Sequence, residues 1–91
     1  MSSSAVAVTA TESSATTSFS VQARAEPGVM PRLIELFAKR GLVPERLTAA
    51  IVRPSMRLTV DIEMVGLDRN TVEYVANCMR QVTGIELVLT A

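Results

Sequence analysis

The chain has 91 residues, nine basic and nine acidic side chains, and a formal net charge of zero. It contains one cysteine and neither histidine nor tryptophan, which excludes histidine-based catalysis, an internal disulfide and most zinc sites. The basic residues do not cluster, which argues against nucleic-acid binding, and no apolar run reaches the length of a membrane span. These features are typical of one small domain, and we expect a cytoplasmic protein.

The first part of the chain, residues 1–16, is rich in Ser, Thr and Ala and carries a single charge at Glu12. It has no helical or strand period, so this composition predicts a disordered tail. It also lacks the basic start of a secretory signal and the arginines of a transit peptide. We therefore predict a folded domain over residues 17–91.

Alternating apolar and polar residues predict a first strand over 17–25. A turn from Ala25 to Met30 joins it to a helix predicted over 29–40. Pro31 suits the first turn of this helix, where its missing N–H costs nothing, and Gly41 is the expected left-handed residue after the helix end. The predicted core stripe of the helix consists of Met30, Leu33, Ile34 and Phe37.

Two further strands are predicted over 45–53 and 56–65, and the short proline-containing link between them indicates an antiparallel hairpin. The first of the two has apolar side chains on both faces, which suggests that a partner covers one of them. A second helix is predicted to start with a capping box at Asn70 and Glu73 and to end at Gly84. Off its apolar stripe lie a half-buried, inert Cys78 and a rim residue, Tyr74. The last strand is predicted over 85–90, with Ile85, Leu87 and Leu89 on one face.

The order β-α-β-β-α-β is that of the split βαβ, or ferredoxin-like, arrangement. It predicts an α+β fold with one four-stranded antiparallel sheet and two helices on one face. The other face would be polar, with Arg24 near Asp61 and Glu63. Such a face is either solvated or docks a larger protein.

The turn from Ala25 to Met30 is the best candidate for a binding feature. Pro27 fixes its own backbone, and Gly28 allows a sharp turn and a close approach by a ligand. The first N–H groups of the next helix lack intrahelical partners, so a carboxylate could bind there. The alternative is that the segment is only a tight strand-to-helix turn. The sequence has no nucleophile–base pair, phosphate loop, paired cysteines or aromatic RNA-binding positions, so we expect a binding module rather than an enzyme.

The segment from Ala25 to Gly41 resembles the ACT domain. It opens with Glu26-Pro27-Gly28 and closes with Phe37-Ala38-Lys39-Arg40-Gly41. More narrowly, it is similar to the small regulatory subunit of acetolactate (acetohydroxyacid) synthase, whose second strand also resembles the segment from Glu45 to Thr48. The resemblance extends over about residues 17–91 in the right element order.

The resemblance implies a non-catalytic subunit that activates a thiamine-diphosphate-dependent catalytic subunit in branched-chain amino-acid synthesis. It implies homodimers with side-by-side sheets, in which a small amino-acid effector binds where the first turn of one chain faces the other. Gly28 and the N–H groups of Val29 and Met30 would contact the effector carboxylate. No cofactor or metal would be bound by this chain.

Two positions suggest which type of subunit this is. Valine-sensitive members of the family carry asparagines where this chain has Ala25 and Val43. Their absence removes side-chain donors and acceptors, so the resemblance is to the shorter, valine-insensitive type. The alternative is a stand-alone ACT module that binds an amino acid and regulates another enzyme.

Overall fold

The computed structural model describes residues 15–91. The predicted tail therefore lies outside the described residues, apart from its last two positions. The order of elements is confirmed, and the first strand begins one residue earlier than predicted. The elements are β1 (Thr16–Arg24), α1 (Val29–Lys39), β2 (Arg46–Val52), β3 (Arg57–Val65), α2 (Arg69–Arg80) and β4 (Ile85–Thr90).

The four strands form one antiparallel sheet in the order β2-β3-β1-β4. Strands β1 and β3 are central, and Val21 lies opposite Val60 in the middle of their ladder. Strands β2 and β4 are the two edges. Both helices cover the same face, so the predicted ferredoxin-like α+β fold is confirmed.

The core lies between this face of the sheet and the two helices. Every second residue of β1 and β3 points into it, as the period of a half-buried strand requires. The rings of Phe19 on β1 and Phe37 on α1 meet there, with centroids 6.4 Å apart. From β1 and β3 the core takes Phe19, Val21, Ala23, Leu58, Val60, Ile62 and Met64.

Helix α1 is rotated slightly from the predicted orientation. Leu36 is buried in the core, whereas Ile34, predicted to be in the core, has 53% of its surface exposed. Ile34 instead lies on the flank of the helix that faces Leu47 of β2. The helix ends as predicted, because Gly41 takes the left-handed conformation (φ +68°) and the Leu42 N–H then donates to the Phe37 carbonyl at 2.9 Å.

Helix α2 begins earlier than the capping box predicted. The N-cap is Asp68, whose Oδ1 accepts a hydrogen bond of 2.7 Å from the Thr71 N–H. Asn70 and Glu73, the predicted capping pair, therefore lie inside the helix. An aspartate directly before the helix competes effectively for this role because its carboxylate reaches the third helical N–H.

Strand β4 corrects the predicted facing of its leucines. The register shifts between Gln22 and Ala23 of β1, so the alternation of β4 reverses after Ile85. As a result Val88 is buried in the core, while Leu87 and Leu89 are 40% and 54% exposed on the open face of the sheet.

Candidate functional site

The turn between β1 and α1, residues 25–30, is stabilised by its own backbone. The Glu26 N–H donates to the Arg24 carbonyl at 2.8 Å, and the Val29 N–H donates to the Glu26 carbonyl at 3.1 Å. The first bond of the helix follows, from the Arg32 N–H to the Gly28 carbonyl at 3.3 Å. These bonds direct the chain from the end of a central strand into α1 and leave the helix N-terminus at the surface.

The structure brings the three predicted contact residues together at this turn. Gly28 and Met30 are half-buried, whereas Val29 is fully buried. The Val29 N–H is already bonded to the Glu26 carbonyl, so a carboxylate there would have to share that donor. Of the three predicted contacts, Val29 is thus the one already engaged within the turn.

Gly28 is not needed for its backbone conformation, because its φ of −78° and ψ of −12° are available to any residue. Gly28 instead leaves open a space that the side chain of a larger residue would fill. Nη1 of Arg32 lies 2.8 Å from the position that a Cβ atom at Gly28 would take. The glycine therefore lets the Arg32 guanidinium lie against the turn at the positive end of the α1 dipole.

Sequence reasoning missed Arg32. Its position four residues after Gly28 places it above the first turn on the same face of the helix, which is a signal that could have found it. The guanidinium adds a full positive charge beside the helix N-terminus, so the electrostatics of the turn favour an anion.

A second glycine, Gly84, packs against the turn. Gly84, between α2 and β4, has a φ of +98°, and a Cβ there would lie 2.9 Å from Cγ2 of Val29 and 3.3 Å from Oε1 of Glu26. Its carbonyl also accepts the Arg24 N–H at 2.9 Å. The loop after α2 thus fixes the base of the candidate site.

Charges on the open face of the sheet differ from the prediction. Arg24 lies opposite Arg57, not near Asp61 and Glu63, because the register of β1 and β3 places Asp61 opposite Ser20. Arg24 pairs instead with Glu26 at 3.5 Å. The Arg57 guanidinium contacts Glu86 at 2.8 Å, and Arg46 pairs with Glu63 at 3.9 Å.

On the outer side of the helices, a cleft of about 570 Å³ runs between α1 and α2. Arg40 crosses it: Nη1 donates to the Leu36 carbonyl at 3.0 Å, and Nη2 lies 3.3 Å from Sγ of Cys78. The guanidinium carbon also lies 5.4 Å from the centre of the Tyr74 ring. The side-chain contact with Tyr74 is the main reason that the pKa of Arg40 is raised. As predicted, Tyr74 is exposed and Cys78 is half-buried.

An apolar patch follows the β2 edge on the helix side of the sheet. We call this the edge patch and define it as Ile34, Val43, Leu47 and Ile51. Between α1 and β2 it borders a groove of about 290 Å³. Strand β2 is exposed on both faces, and of its seven residues Leu47 alone is half-buried.

Within residues 15–91, no three His, Cys, Asp or Glu side chains are grouped so as to hold a metal ion. Neither helix of the described part of the chain is long and apolar enough to span a bilayer. The pKa of Asp68 is lowered, but its causes are hydrogen bonds of the α2 cap, first of all from the Thr71 backbone.

The fold has close structural relatives, although their sequences have diverged. The ACT domain of a GTP pyrophosphokinase from Chlorobium tepidum superposes with a TM-score of 0.72 at 9% identity, over 86% of this chain and 99% of that one. An uncharacterized protein from Thermotoga maritima gives 0.69 at 13% identity, over 86% and 95% of the two chains. The C-terminal domain of the MgtC protein from Mycobacterium tuberculosis gives 0.68 at 13%, over 88% of each. At these identities the likeness shows the fold alone.

The strand order, the two helices on one face and the helix N-terminus at the first turn define a small ferredoxin-like α+β domain of the ACT type. A family model described as ACT-like domain matches residues 9–90, and the chain belongs to this family. ACT domains are regulatory, non-catalytic modules. Among curated proteins no sequence matches the chain.

Proposed function

We propose that this chain is a regulatory module that pairs with a second copy of itself and binds a small amino acid by its carboxylate at the Gly28 turn. The observation that carries the proposal is that the Arg32 guanidinium lies against Gly28 at the N-terminus of α1. A carboxylate placed there meets a charged donor and the positive end of a helix dipole together. The effector, and no cofactor, is the ligand proposed for this chain.

The magnitudes indicate that the turn alone is a weak site. A hydrogen bond to a charged group contributes about 1.5–3 kcal/mol, and an anion at a helix N-terminus gains about 0.3–1 kcal/mol. The sum of about 2–4 kcal/mol corresponds to millimolar binding at best. An effector with useful affinity therefore needs further contacts, and a second chain beside the first is the source we propose.

The β2 edge supports such a pairing. Among the described strands it is a seven-residue edge with no neighbour on its outer side, and its apolar side chains are exposed on both faces. An exposed apolar edge of this kind is a template for pairing with another strand. Pairing through the β4 edge would bury less additional apolar surface on the helix side, because Val88 is already buried there. We propose that two copies pair through β2 to give one continuous sheet.

An antiparallel two-fold pairing centred on Ala49 would place Leu47 of one copy beside Ile51 of the other, on the helix side of the sheet. The two edge patches would then meet and cover each other. Ile51 is 38% exposed in the single chain and would contact Leu47 of the other copy on either side of the central Ala49. Burial of the edge patches is the driving force that we propose for the dimer.

The dimer is tested by charge insertion on the two edges. We expect Ile51→Asp to shift the protein from dimer to monomer in analytical ultracentrifugation, because each copy would bury an unpaired carboxylate at the contact. Leu89→Asp is the control for the other edge, since Leu89 is also an exposed aliphatic residue (54% against 38% for Ile51) but lies on β4. If only Leu89→Asp dissociates the protein, the pairing edge is β4. If neither does, the pairing does not use the strand edges.

The regulated enzyme that we propose is acetolactate synthase, with this chain as its small subunit in the cytoplasm. The support is the resemblance of the segment from Ala25 to Gly41, now placed in an ACT-like fold. The open face of the sheet is the proposed docking surface for the catalytic subunit, and exposed Leu87 and Leu89 add apolar area to it. Ala25 and Val43 support the valine-insensitive type.

The second candidate is a stand-alone ACT module that regulates another enzyme. It is favoured by the family match, which concerns the ACT-like domain and names no synthase. A tagged pull-down from the native cells, followed by mass spectrometry, separates the two. A stoichiometric thiamine-diphosphate-dependent synthase subunit supports the first candidate, and recovery of the chain with itself alone supports the second.

The effector site is tested by calorimetry with a panel of amino acids. We expect Gly28→Asp to abolish the heat of binding, because its carboxylate occupies the site and pairs with Arg32. Gly28→Ala is the uncharged comparison: its methyl group displaces the end of the flexible Arg32 side chain without adding a carboxylate, so we expect it to weaken binding less than Gly28→Asp does. Equal binding by Gly28→Asp and the unaltered protein would remove the turn as the site. An unaltered protein that binds no amino acid of the panel would refute the effector function.

A further inference from the structure

The cleft between α1 and α2 carries an unbalanced positive charge. Its α1 wall presents Arg32, Lys39 and Arg40 against one carboxylate, that of Glu35. Glu35 is paired with Lys39 at 3.8 Å. Within residues 15–91, Arg32 and Arg40 have no carboxylate at salt-bridge distance. The α2 wall contributes uncharged groups only, among them Asn77 and Gln81.

One of these two cations is held in place. Arg40 is anchored by the Leu36 carbonyl, by Sγ of Cys78 and by the face of the Tyr74 ring, none of which neutralises it. A guanidinium has five N–H donors, so most of them remain for a ligand. Fixing the side chain in advance lowers the entropy cost of binding. Arginine and tyrosine are also, with tryptophan, among the residues enriched at the energetic centres of protein interfaces.

We propose that this cleft binds an acidic amphipathic helix of a partner protein. Arg40 is the cap residue directly after α1 and follows Arg32 by eight residues, which corresponds to about 12 Å along the helix axis. A helix lying along the cleft with two carboxylates two turns apart would place one beside each guanidinium. The floor of the cleft includes the apolar side chains of Leu36 and Val82, and these would receive the apolar stripe of that helix.

This chain does not supply such a helix itself. Within their bounds, α1 contains one carboxylate, Glu35, and α2 contains one, Glu73. Residues 1–14 contain a single acid, Glu12. None of these segments offers two carboxylates two turns apart, so a second copy does not match the cleft. The occupant that matches the cleft therefore comes from outside these 91 residues, and this inference does not depend on which enzyme the module regulates.

The test uses a fluorescein-labelled helical peptide of about 18 residues, with a leucine stripe and two glutamates two turns apart. Binding to the full chain is followed by fluorescence anisotropy at low and at physiological ionic strength. A control peptide has glutamine in place of both glutamates. The protein variants are Arg32→Gln with Arg40→Gln, Tyr74→Ala, and Arg53→Gln as the matched control outside the cleft. Circular dichroism establishes that each variant is folded, as expected for changes at exposed residues.

We expect saturable binding of the glutamate peptide that weakens with salt. The double arginine variant and the glutamine peptide should each lower the affinity by about tenfold or more, Tyr74→Ala should lower it too, and Arg53→Gln should change it by less than about twofold. An equal effect of Arg53→Gln would mean non-specific attraction and would overturn the proposal. Equal affinity for the two peptides, or no saturation up to about 1 mM, would overturn it as well.

Discussion

The contact between Gly84 and the first turn makes a strong prediction about stability. Gly84 and Gly41 both have positive φ values, +98° and +68°. They differ in their surroundings, because a Cβ at Gly84 would lie 2.9 Å from Cγ2 of Val29, whereas nothing lies within 4 Å of one at Gly41. Replacing each glycine by alanine therefore separates the cost of the backbone conformation from the cost of the contact.

The two costs can be estimated separately. A left-handed conformation costs a residue with a Cβ about 1–2 kcal/mol, and this applies to both sites. At Gly84 the new methyl group also presses on the fully buried Val29, and overpacking of this kind costs about 1–3 kcal/mol. We therefore expect Gly41→Ala to cost about 1–2 kcal/mol and Gly84→Ala about 2–5 kcal/mol.

Urea unfolding followed by far-ultraviolet circular dichroism measures both values, because the chain lacks tryptophan as a fluorescent probe. All variants must be compared at one protein concentration, since self-association would add to the apparent stability. Equal free energies of unfolding for Gly84→Ala and Gly41→Ala would refute the reasoning. They would show that the two loops are not tightly packed at the base of the candidate site.

Two further predictions concern the helices. Leu33→Ala should lower the free energy of unfolding by about 2–5 kcal/mol, because Leu33 is fully buried. Ile34→Ala should lower it by less than about 1 kcal/mol, because Ile34 is half-exposed. Similar losses for the two variants in urea unfolding would contradict the observed rotation of α1. The lowered pKa of Asp68 means that its stabilising effect is present above the ordinary aspartate pKa and is lost as the pH falls through the lowered value. In Asp68→Asn the side-chain amide oxygen can still accept the cap hydrogen bond but no longer titrates. The free energy of unfolding of this variant should therefore fall less than that of the unaltered protein between pH 7 and about pH 3. Equal losses for the two proteins would contradict this.

Sequence periodicity predicted the fold because the strong patterns are local. The alternation in β3 and the glycine after α1 each act over a few residues, and both were correct. The facing of β4 was wrong because the register shift beside Gln22 depends on how two distant strands pair. The predicted orientation of α1 was wrong for a related reason. Ile34 and Leu36 are both apolar, and only the packing of the helix on the sheet decides which of them is buried.

The candidate site was predicted in its position but not in its composition. The Glu26-Pro27-Gly28 segment located the turn, and the ACT-like resemblance drawn from it is confirmed by the family match. The role of Arg32 was missed because a helix pattern assigns an exposed arginine to solvent by default. The space that Gly28 leaves beside that guanidinium becomes visible only in three dimensions. The link to acetolactate synthase stays a prediction.

Arg32 belongs to both proposed binding surfaces, and this has a testable consequence. Its guanidinium lies against Gly28 at the first turn and also lines the cleft between the helices. One side chain cannot give its best donors to an effector carboxylate and to a partner helix at once, so the two ligands should weaken each other by the same factor.

We expect Arg32→Gln to lower the affinity for the acidic peptide and for any amino acid that binds, and Arg40→Gln to lower only the first. Calorimetry of the amino acid and anisotropy of the peptide measure the two effects in the same variants. Amino-acid binding that survives Arg32→Gln unchanged would take this residue out of the turn site. Partner and effector would then be sensed independently, because Arg32 is the shared side chain on which the proposed competition rests.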